Sequence, residues 1–238
     1  MAEEERPKII ALLPMKEHSE RVPNKNIRDF CGRPLYHWVM ESLLASRFVS
    51  EVLINTDSER IAEDALNNFD RVKIVNRPEF IRGDMVPMND IIAYDISQCE
   101  EEHFLQTHST NPLLTTTTIN KAIECYFANL GSHDSLFSVT RYQTRLYWKN
   151  GTPINHNPQE LLRTQDLEPV YEENSNIYIF SRTSFCRSGN RRIGLRPVMF
   201  EMDKLEAVDI DEEHDFILAE MLYRVYRRKN DAGVGDDW

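Results

Sequence analysis

Two groups of residues in this sequence have the types and spacing to do chemistry together. The first is the stretch Pro14 to Asn26, which carries four side chains able to bear positive charge: Lys16, His18, Arg21 and Lys25. Cations and free backbone N–H groups where a strand gives way to a helix suit a polyphosphate. The second is Val208-Asp209-Ile210-Asp211, in which alternation puts Asp209 and Asp211 on one face of an extended segment. Two such carboxylates repel unless a cation lies between them. A Mg2+ shared with substrate phosphates is the usual solution, and it would let a triphosphate and two carboxylates occupy one site. Each group also has a plain alternative. The first could be a solvated loop, and Asp211, before Glu212-Glu213, could be a helix cap.

Standard phosphate loops are excluded. The chain has no glycine before Gly32, and neither a G-x-x-x-x-G-K-[ST] nor a G-x-G-x-x-G motif. Two further residues are candidates. Arg163 opens a dense polar stretch running to Asn174 and could clamp a carboxylate through both guanidinium nitrogens, although a surface ion pair is the commoner fate of an arginine. His108 stands beside Ser109 and Thr110, and a lone histidine is more often structural than catalytic. No histidine pair has H-E-x-x-H spacing.

Alternating strand and helix patterns must position these groups. Ile9 to Leu13 is an unbroken apolar run that predicts a strand buried on both faces. After the basic loop, Pro34 fits a first helical position, and Leu35, Trp38, Val39 and Leu43 recur at helical spacing. Glu51 to Asn55 predicts a second strand, with Thr56-Asp57-Ser58 as a helix start after it. Arg71 to Val75 predicts a third strand, broken by Asn76-Arg77-Pro78. The pattern is then helical over Asp84 to Gln98, with Pro87 in the first turn. His103 to Gln106 is a strand, Thr107 to Thr118 a polar loop, Ile119 to Asn129 a helix and Ser135 to Thr140 a strand. Asn176 to Phe180, Arg196 to Glu201 and Glu206 to Ile210 look extended, and Glu212 to Arg227 is a last helix. Repeated β-α units predict an α/β fold with a mostly parallel sheet, and ligands in such sheets sit beyond the C-terminal strand ends. Regularity lapses over 141–173, where Tyr142, Tyr147, Trp148 and Tyr171 argue for packing rather than disorder. That segment reads as an excursion over the active face and a dimer contact.

Composition narrows the partners. The chain has 238 residues and a net charge of −11, which disfavours general nucleic-acid binding but leaves room for one basic pocket. It has no 18-residue apolar run, so no membrane span is expected. The N-terminus is acidic and polar, unlike a secretory signal. Four scattered cysteines without a C-x-x-C fit reduced thiols in a cytoplasmic protein.

In order, these residues resemble the CMP-sialic acid synthetases, the acylneuraminate cytidylyltransferases. That family opens with P-A-R-x-x-S-K-R-x-P-x-K-N, and Pro14 to Asn26 follows it. The likeness continues through Gly32-Arg33-Pro34-Leu35, Asn55-Thr56-Asp57 and Ile61-Ala62-Glu63, then Arg77-Pro78-Glu79 and Asp84. Arg163-Thr164-Gln165-Asp166-Leu167 with Pro169-Val170-Tyr171 is similar to R-R-Q-D-L-P-P-V-Y. Asn174 to Tyr178 is similar to N-G-A-I-Y, and Asp209-Ile210-Asp211 with Asp215-Phe216 to D-I-D…D-F. The resemblance spans about residues 8 to 222, and its specificity lies in the ordered set.

It implies a Rossmann-like nucleotidyltransferase fold, with residues 1–140 and 174–238 forming a CTP-binding domain and 141–173 a small excursion for dimerisation and sugar binding. It implies transfer of CMP from CTP to the anomeric hydroxyl of a 2-keto-3-deoxy acidic sugar by a Mg2+-dependent homodimer. Lys16, Lys25 and Asp211 would be catalytic, and Asp209 and Asp211 would hold the metal. Arg21, Asn26, Asp84, Gln106, His108, Arg163, Gln165, Tyr171 and Asn174 would contact substrates, those around Arg163 to Tyr171 from either subunit. The chain departs from the pattern at Lys16 (arginine in the family), Glu20 (lysine) and Asn176 (alanine). The family's Q-P-T-S-P-L is stretched, so its glutamine corresponds to Gln106 counted from the strand and to His108 counted back from Pro112. These departures bear on the sugar more than on the reaction. A non-catalytic nucleotide-binding relative, or transfer to another small acid, are the rival readings.

Overall fold

A computed structural model describes residues 7–17, 19 and 21–231, the last six of these by backbone alone. His18 and Glu20 lie outside the described residues. A seven-stranded sheet has the order β5-β4-β1-β6-β8-β7-β9. Its strands are β1 (Ile9–Leu12), β4 (Val49–Thr56), β5 (Val72–Asn76), β6 (His103–Gln106), β7 (Ser135–Tyr142), β8 (Val170–Ser181) and β9 (Pro197–Glu201). Only β8 runs against its neighbours. The mostly parallel α/β sheet is therefore as expected. A two-stranded ribbon, β2 (Asp29–Phe30) with β3 (Arg33–Pro34), stands beside it. Its turn holds Cys31 at φ 52° and Gly32 at φ 96°. Two consecutive positive φ values are what a tight two-residue hairpin needs.

β1 explains the packing. Ile9 and Ala11 point into one core with α1 (Leu35–Leu44), α2 (Glu59–Asn68) and α4 (Thr116–Asn129). Ile10 and Leu12 point into the opposite core with α3 (Met88–Ser97) and α5 (Arg182–Arg187). An alternating strand covered on both faces has no polar position to offer, hence the apolar run. A third cluster joins the ribbon to α6 (Glu213–Asp231) through Val22, Phe30, Leu35, Trp38, Ile210, Phe216 and Ala219.

Four sequence expectations shift. The helix expected from Asp84 begins at Met88, with Pro87 as its N-cap, so Asp84 stays in a loop. α5 lacked a long apolar stripe and was missed; a reciprocal Ser181–Ser184 capping box starts it. β8 begins at Val170 rather than Asn176, because it pairs with the outer half of β7 as a two-stranded arm. Glu206 to Ile210 is no strand: Ala207 N–H closes a turn on the Asp203 carbonyl (3.1 Å), and 208–211 is irregular. No helix among the described residues is long and apolar enough to cross a membrane.

Candidate active site

A cavity of about 580 Å³ opens beyond the C-terminal ends of β1 and β6. The chain leaves β1 toward β4 on one side and returns at β6 on the other. Backbones diverge there, and ligands bind in that crevice. Lys16, Arg21, Lys25, Asn26, Asp84, His108, Asp209 and Asp211 all line it.

The basic loop is held open by polar bonds. The Asn26 amide donates to the Lys16 carbonyl (2.9 Å), and its oxygen accepts from the Ser109 hydroxyl (2.7 Å), tying the loop after β1 to the loop after β6. Asn26 is thus spent on holding the two loops together. Lys25 leaves a short helical turn (Lys25–Ile27) and donates to the Ile210 carbonyl at 2.5 Å, with Asp211 at 3.9 Å. Burial lowers the Lys25 pKa; Asp209 and Asp211 push it back up, Arg21 and Lys16 down. Lys16 pairs with Asp84, and Arg21 with Asp211 at 2.7 Å. Both pairs are half-exposed, and such pairs contribute about 0–1 kcal/mol, so an incoming polyphosphate can displace them.

The two aspartates reach one cavity without a strand. Ile210, fully buried between them, points into the α6 cluster and turns both neighbours the other way. Its N–H donates to the Thr110 carbonyl (3.0 Å), and Asn176 and Asn111 reach the Ala207 and Val208 carbonyls (3.4 and 3.3 Å). Asn176, where the resemblance expects alanine, is therefore a tether for the aspartate segment. Among the described residues no hydrogen bond has the Asp211 side chain capping α6; its carboxylate pairs with Arg21, and Asp215 in the first turn of α6 reaches back to the Asp211 and Glu212 N–H groups (3.1 and 2.8 Å).

The metal expectation can be tested on Asp209. Its Oδ1 is buried with no hydrogen-bond partner among the described residues, and burial raises its pKa, with Asp211 adding to the rise and the Thr110 hydroxyl and Lys25 opposing it. A buried anionic oxygen without a donor fits a cation. Among the described residues no group of three or more His, Cys, Asp or Glu side chains converges. Two carboxylates at one cavity are a set that Mg2+ can take, with water and substrate phosphate in the remaining positions.

The sequence candidates divide. Gln106 is fully buried behind His108 rather than lining the cavity. Burial, with Arg192 and Lys25 nearby, holds the His108 pKa down to about 4. Arg163, Gln165 and Tyr171 lie on the arm and do not line this chain's cavity. Arg163 pairs bidentately with Asp166 (2.7 and 3.0 Å), the plainer of its two readings. Asn174 is occupied by Ser138 (2.5 Å) and Thr140 (3.1 Å).

Other residues at the site were not singled out from the sequence. Two steps from Phe137 to Val139 face five from Tyr178 to Glu173, and this bulge turns Ser175, at φ 59°, into the cavity. Bulges of this kind re-aim side chains beside active sites. The buried Arg77 also lines the cavity. It donates to the Met15 carbonyl (3.1 Å) and to the Asn55 side-chain and backbone oxygens (2.7 and 2.9 Å). Its sequence signals were Asn-Arg-Pro at a strand end and its place in the Arg77-Pro78-Glu79 match, neither of which gave it a role.

A parallel sheet with a cation-lined loop after its first strand and a carboxylate pair opposite defines a Rossmann-like nucleotidyltransferase. The fold agrees with solved structures of that class. One is CMP:2-keto-3-deoxy-manno-octonic acid synthetase complexed with CTP, with a TM-score of 0.65 and 12% identity, covering 93% of this chain and 99% of that one. Another is 4-diphosphocytidyl-2C-methyl-D-erythritol synthase, with a TM-score of 0.64 and 12% identity, covering 92% and 100%.

The Cytidylyltransferase family model matches residues 10–230, and the chain belongs to that family, which includes the acylneuraminate and pseudaminic acid enzymes. It is 26% identical over 231 residues to pseudaminic acid cytidylyltransferase of Campylobacter jejuni, covering 92% of this chain and 97% of that one. It is 28% identical over 220 residues to N-acylneuraminate cytidylyltransferase A of Danio rerio, covering 89% of this chain and 50% of that protein.

Proposed function

We propose that this protein transfers CMP from CTP to the anomeric hydroxyl of a 2-keto-3-deoxy acidic sugar of the nonulosonate class, releasing pyrophosphate. The observation that carries the proposal is that Lys25 and the two carboxylates Asp209 and Asp211 line one cavity at the sheet's switch point, with Lys25 Nζ 3.9 Å from Asp211. In the reaction a sugar oxygen bonds to the α-phosphorus as the bond to the bridging oxygen breaks. The hydroxyl proton goes to water, and pyrophosphate leaves with the electron pair. Negative charge grows on the non-bridging and leaving oxygens, and fixed cations stabilise it without reorganising. Lys25 is the most rigidly held of these cations, anchored on the Ile210 carbonyl. Lys16 and Arg21 exchange their carboxylate partners for phosphate. Asp209 and Asp211 would hold Mg2+, which would supply Lewis-acid stabilisation of the developing negative charge and favour ionisation of the attacking hydroxyl.

The acceptor's carboxylate and side chain would lie against His108, Ser175 and the loop after β6. The arm would supply Arg163, Gln165 and Tyr171 to the site of a second subunit, in a homodimer. Support for the dimer is the arm's exposed apolar set, Trp148, Leu161 and Leu162, which this chain leaves uncovered.

Pyrophosphate release with CTP and a panel of 2-keto-3-deoxy acids tests the reading. Turnover is expected with at least one acid, lost on chelation with EDTA and restored by Mg2+. Asp211→Asn and Lys25→Met are expected to lose about 10²–10³-fold in kcat, the usual effect of removing one transition-state electrostatic contact. CTP binding without turnover of any acid would refute it.

A further inference from the structure

Arg192 is a half-buried guanidinium on the segment between α5 and β9. Among the described residues no carboxylate lies within ion-pair distance of it. It donates to Gln106 Oε1 (2.5 Å) and Asn89 Oδ1 (3.2 Å), and it lies 4.1 Å from the centre of the Tyr178 ring. The Gln106 amide nitrogen then donates to the Thr107 carbonyl (2.7 Å) and stands 3.5 Å from His108 Nε2. His108 lines the cavity.

Donor and acceptor roles follow in sequence from Arg192. A guanidinium has donors only, so the Gln106 atom it meets must be the oxygen. The other end of that amide is NH2, which also only donates. A ring nitrogen facing an NH2 must be a bare acceptor, so Nε2 carries no hydrogen. A neutral imidazole then keeps its proton on Nδ1. A second proton on Nε2 would set two donors against each other. The charged groups acting on His108 are Arg192 and Lys25, both cations, and both disfavour that proton. Nδ1 has no protein partner among the described residues and is the nitrogen left for a ligand.

We infer that Arg192 is a positioning residue which, through Gln106, fixes His108 as a neutral imidazole protonated on Nδ1, and that this N–H donates a hydrogen bond to an oxygen of the acidic acceptor. The donor role rests on the function proposed above; the fixed tautomer does not. The arrangement gives the acceptor end of the cavity a donor that stays uncharged and points one way. A mobile or doubly protonated histidine would bind the triphosphate's negative charge instead.

The test separates the two parts. Nitrogen-15 NMR of the ligand-free protein, with the His108 signals identified by their loss in His108→Gln, reads the tautomer directly. The wild type is expected to show Nδ1–H and bare Nε2 from pH 5.5 to 8. Arg192→Met is expected to mix the two tautomers. Gln106→Glu, whose carboxylate only accepts, is expected to move the proton to Nε2. In kinetics, Arg192→Met is expected to raise KM for the acceptor about tenfold, the loss of one hydrogen bond, with KM for CTP changed less than twofold. Arg192→Lys, which can still donate to Gln106, is expected to recover part of that loss. Nε2–H in the wild type, or a tautomer indifferent to Arg192→Met, would overturn the inference. A fixed tautomer with an acceptor KM unmoved by Arg192→Met would overturn the donor role. Absence of turnover with every acid in the wild type would instead count against the proposed function.

Discussion

Arg77→Met is the perturbation with the most to say about how the site is held. The buried guanidinium makes three hydrogen bonds, to the Met15 carbonyl and to both oxygens of Asn55. Asn55 in turn donates to Asp95, which is fully buried with one carboxylate oxygen unpartnered. Methionine keeps much of the volume and none of the donors. The Met15 carbonyl and the Asn55 side-chain oxygen then lose their donor, at about 1–3 kcal/mol each, so about 2–6 kcal/mol in all, which brackets the range of about 3–5 kcal/mol for breaking a buried charged pair.

For a chain of this size that lowers Tm by about 10 °C. The loss should also depend on pH. Burial lifts the Asp95 pKa to about 7, against the opposing pull of Asn55 and Arg77. A raised acid contributes stability that is complete below its unfolded value of 3.8 and is lost as pH rises through its folded value. Without Arg77 the folded value climbs further, and each unit adds about 1.4 kcal/mol of loss at pH values above it. Urea denaturation at pH 5.5 and 8.5 should therefore show the larger ΔΔG at pH 8.5. A cost below about 1 kcal/mol, or one equal at both pH values, would refute this account of the network.

Two further tests concern the frame. Gly194 has Asp134 Oδ1 at 2.3 Å and Ser135 Oγ at 2.8 Å from where a Cβ would stand, and the Asp134 carboxylate caps the Leu195 and Arg196 N–H groups (3.0 and 2.9 Å). Gly194→Ala should destabilise by about 1–3 kcal/mol, read by urea denaturation, with little change in KM for CTP. Leu161→Asp on the arm should leave Tm nearly unchanged but convert a dimer of about twice the chain mass into monomer in light scattering. A wild type already monomeric at micromolar concentration would contradict the proposed assembly.

The elements that carry the site were legible where chemistry and packing agree. Ile9 to Leu13 had to be a strand covered on both faces, so the basic residues after it had to emerge at a strand end. Asp209 and Asp211 line the same cavity, but not by the geometry that alternation suggests. Alternation suggested a strand, yet the segment is irregular, and it is Ile210 plugged into the α6 cluster that sends both carboxylates one way. Period-two patterning survives when a single buried residue fixes the backbone.

Ser175 and Arg192 were illegible because their positions depend on a bulge and on a partner far away in the chain, neither of which leaves a local pattern. Arg77 was hidden differently. Its sequence context marked a strand break, and only the fold shows that its side chain turns back beneath the basic loop. Arg163 differs again: its pattern suits carboxylate recognition, and within one chain its guanidinium closes on its own neighbour Asp166.

The seating of Ile210 against α6 bears on how this molecule is made. The lysines and Arg21 of the opening loop emerge from the ribosome well before the segment that opposes them, which is held by a helix that follows every other described element in the chain. Until α6 folds down over the β2–β3 ribbon, the hydrophobic plug has no socket and the paired aspartates have no fixed heading. A partly made chain would therefore carry the basic loop before it could set Asp209 and Asp211 opposite that loop.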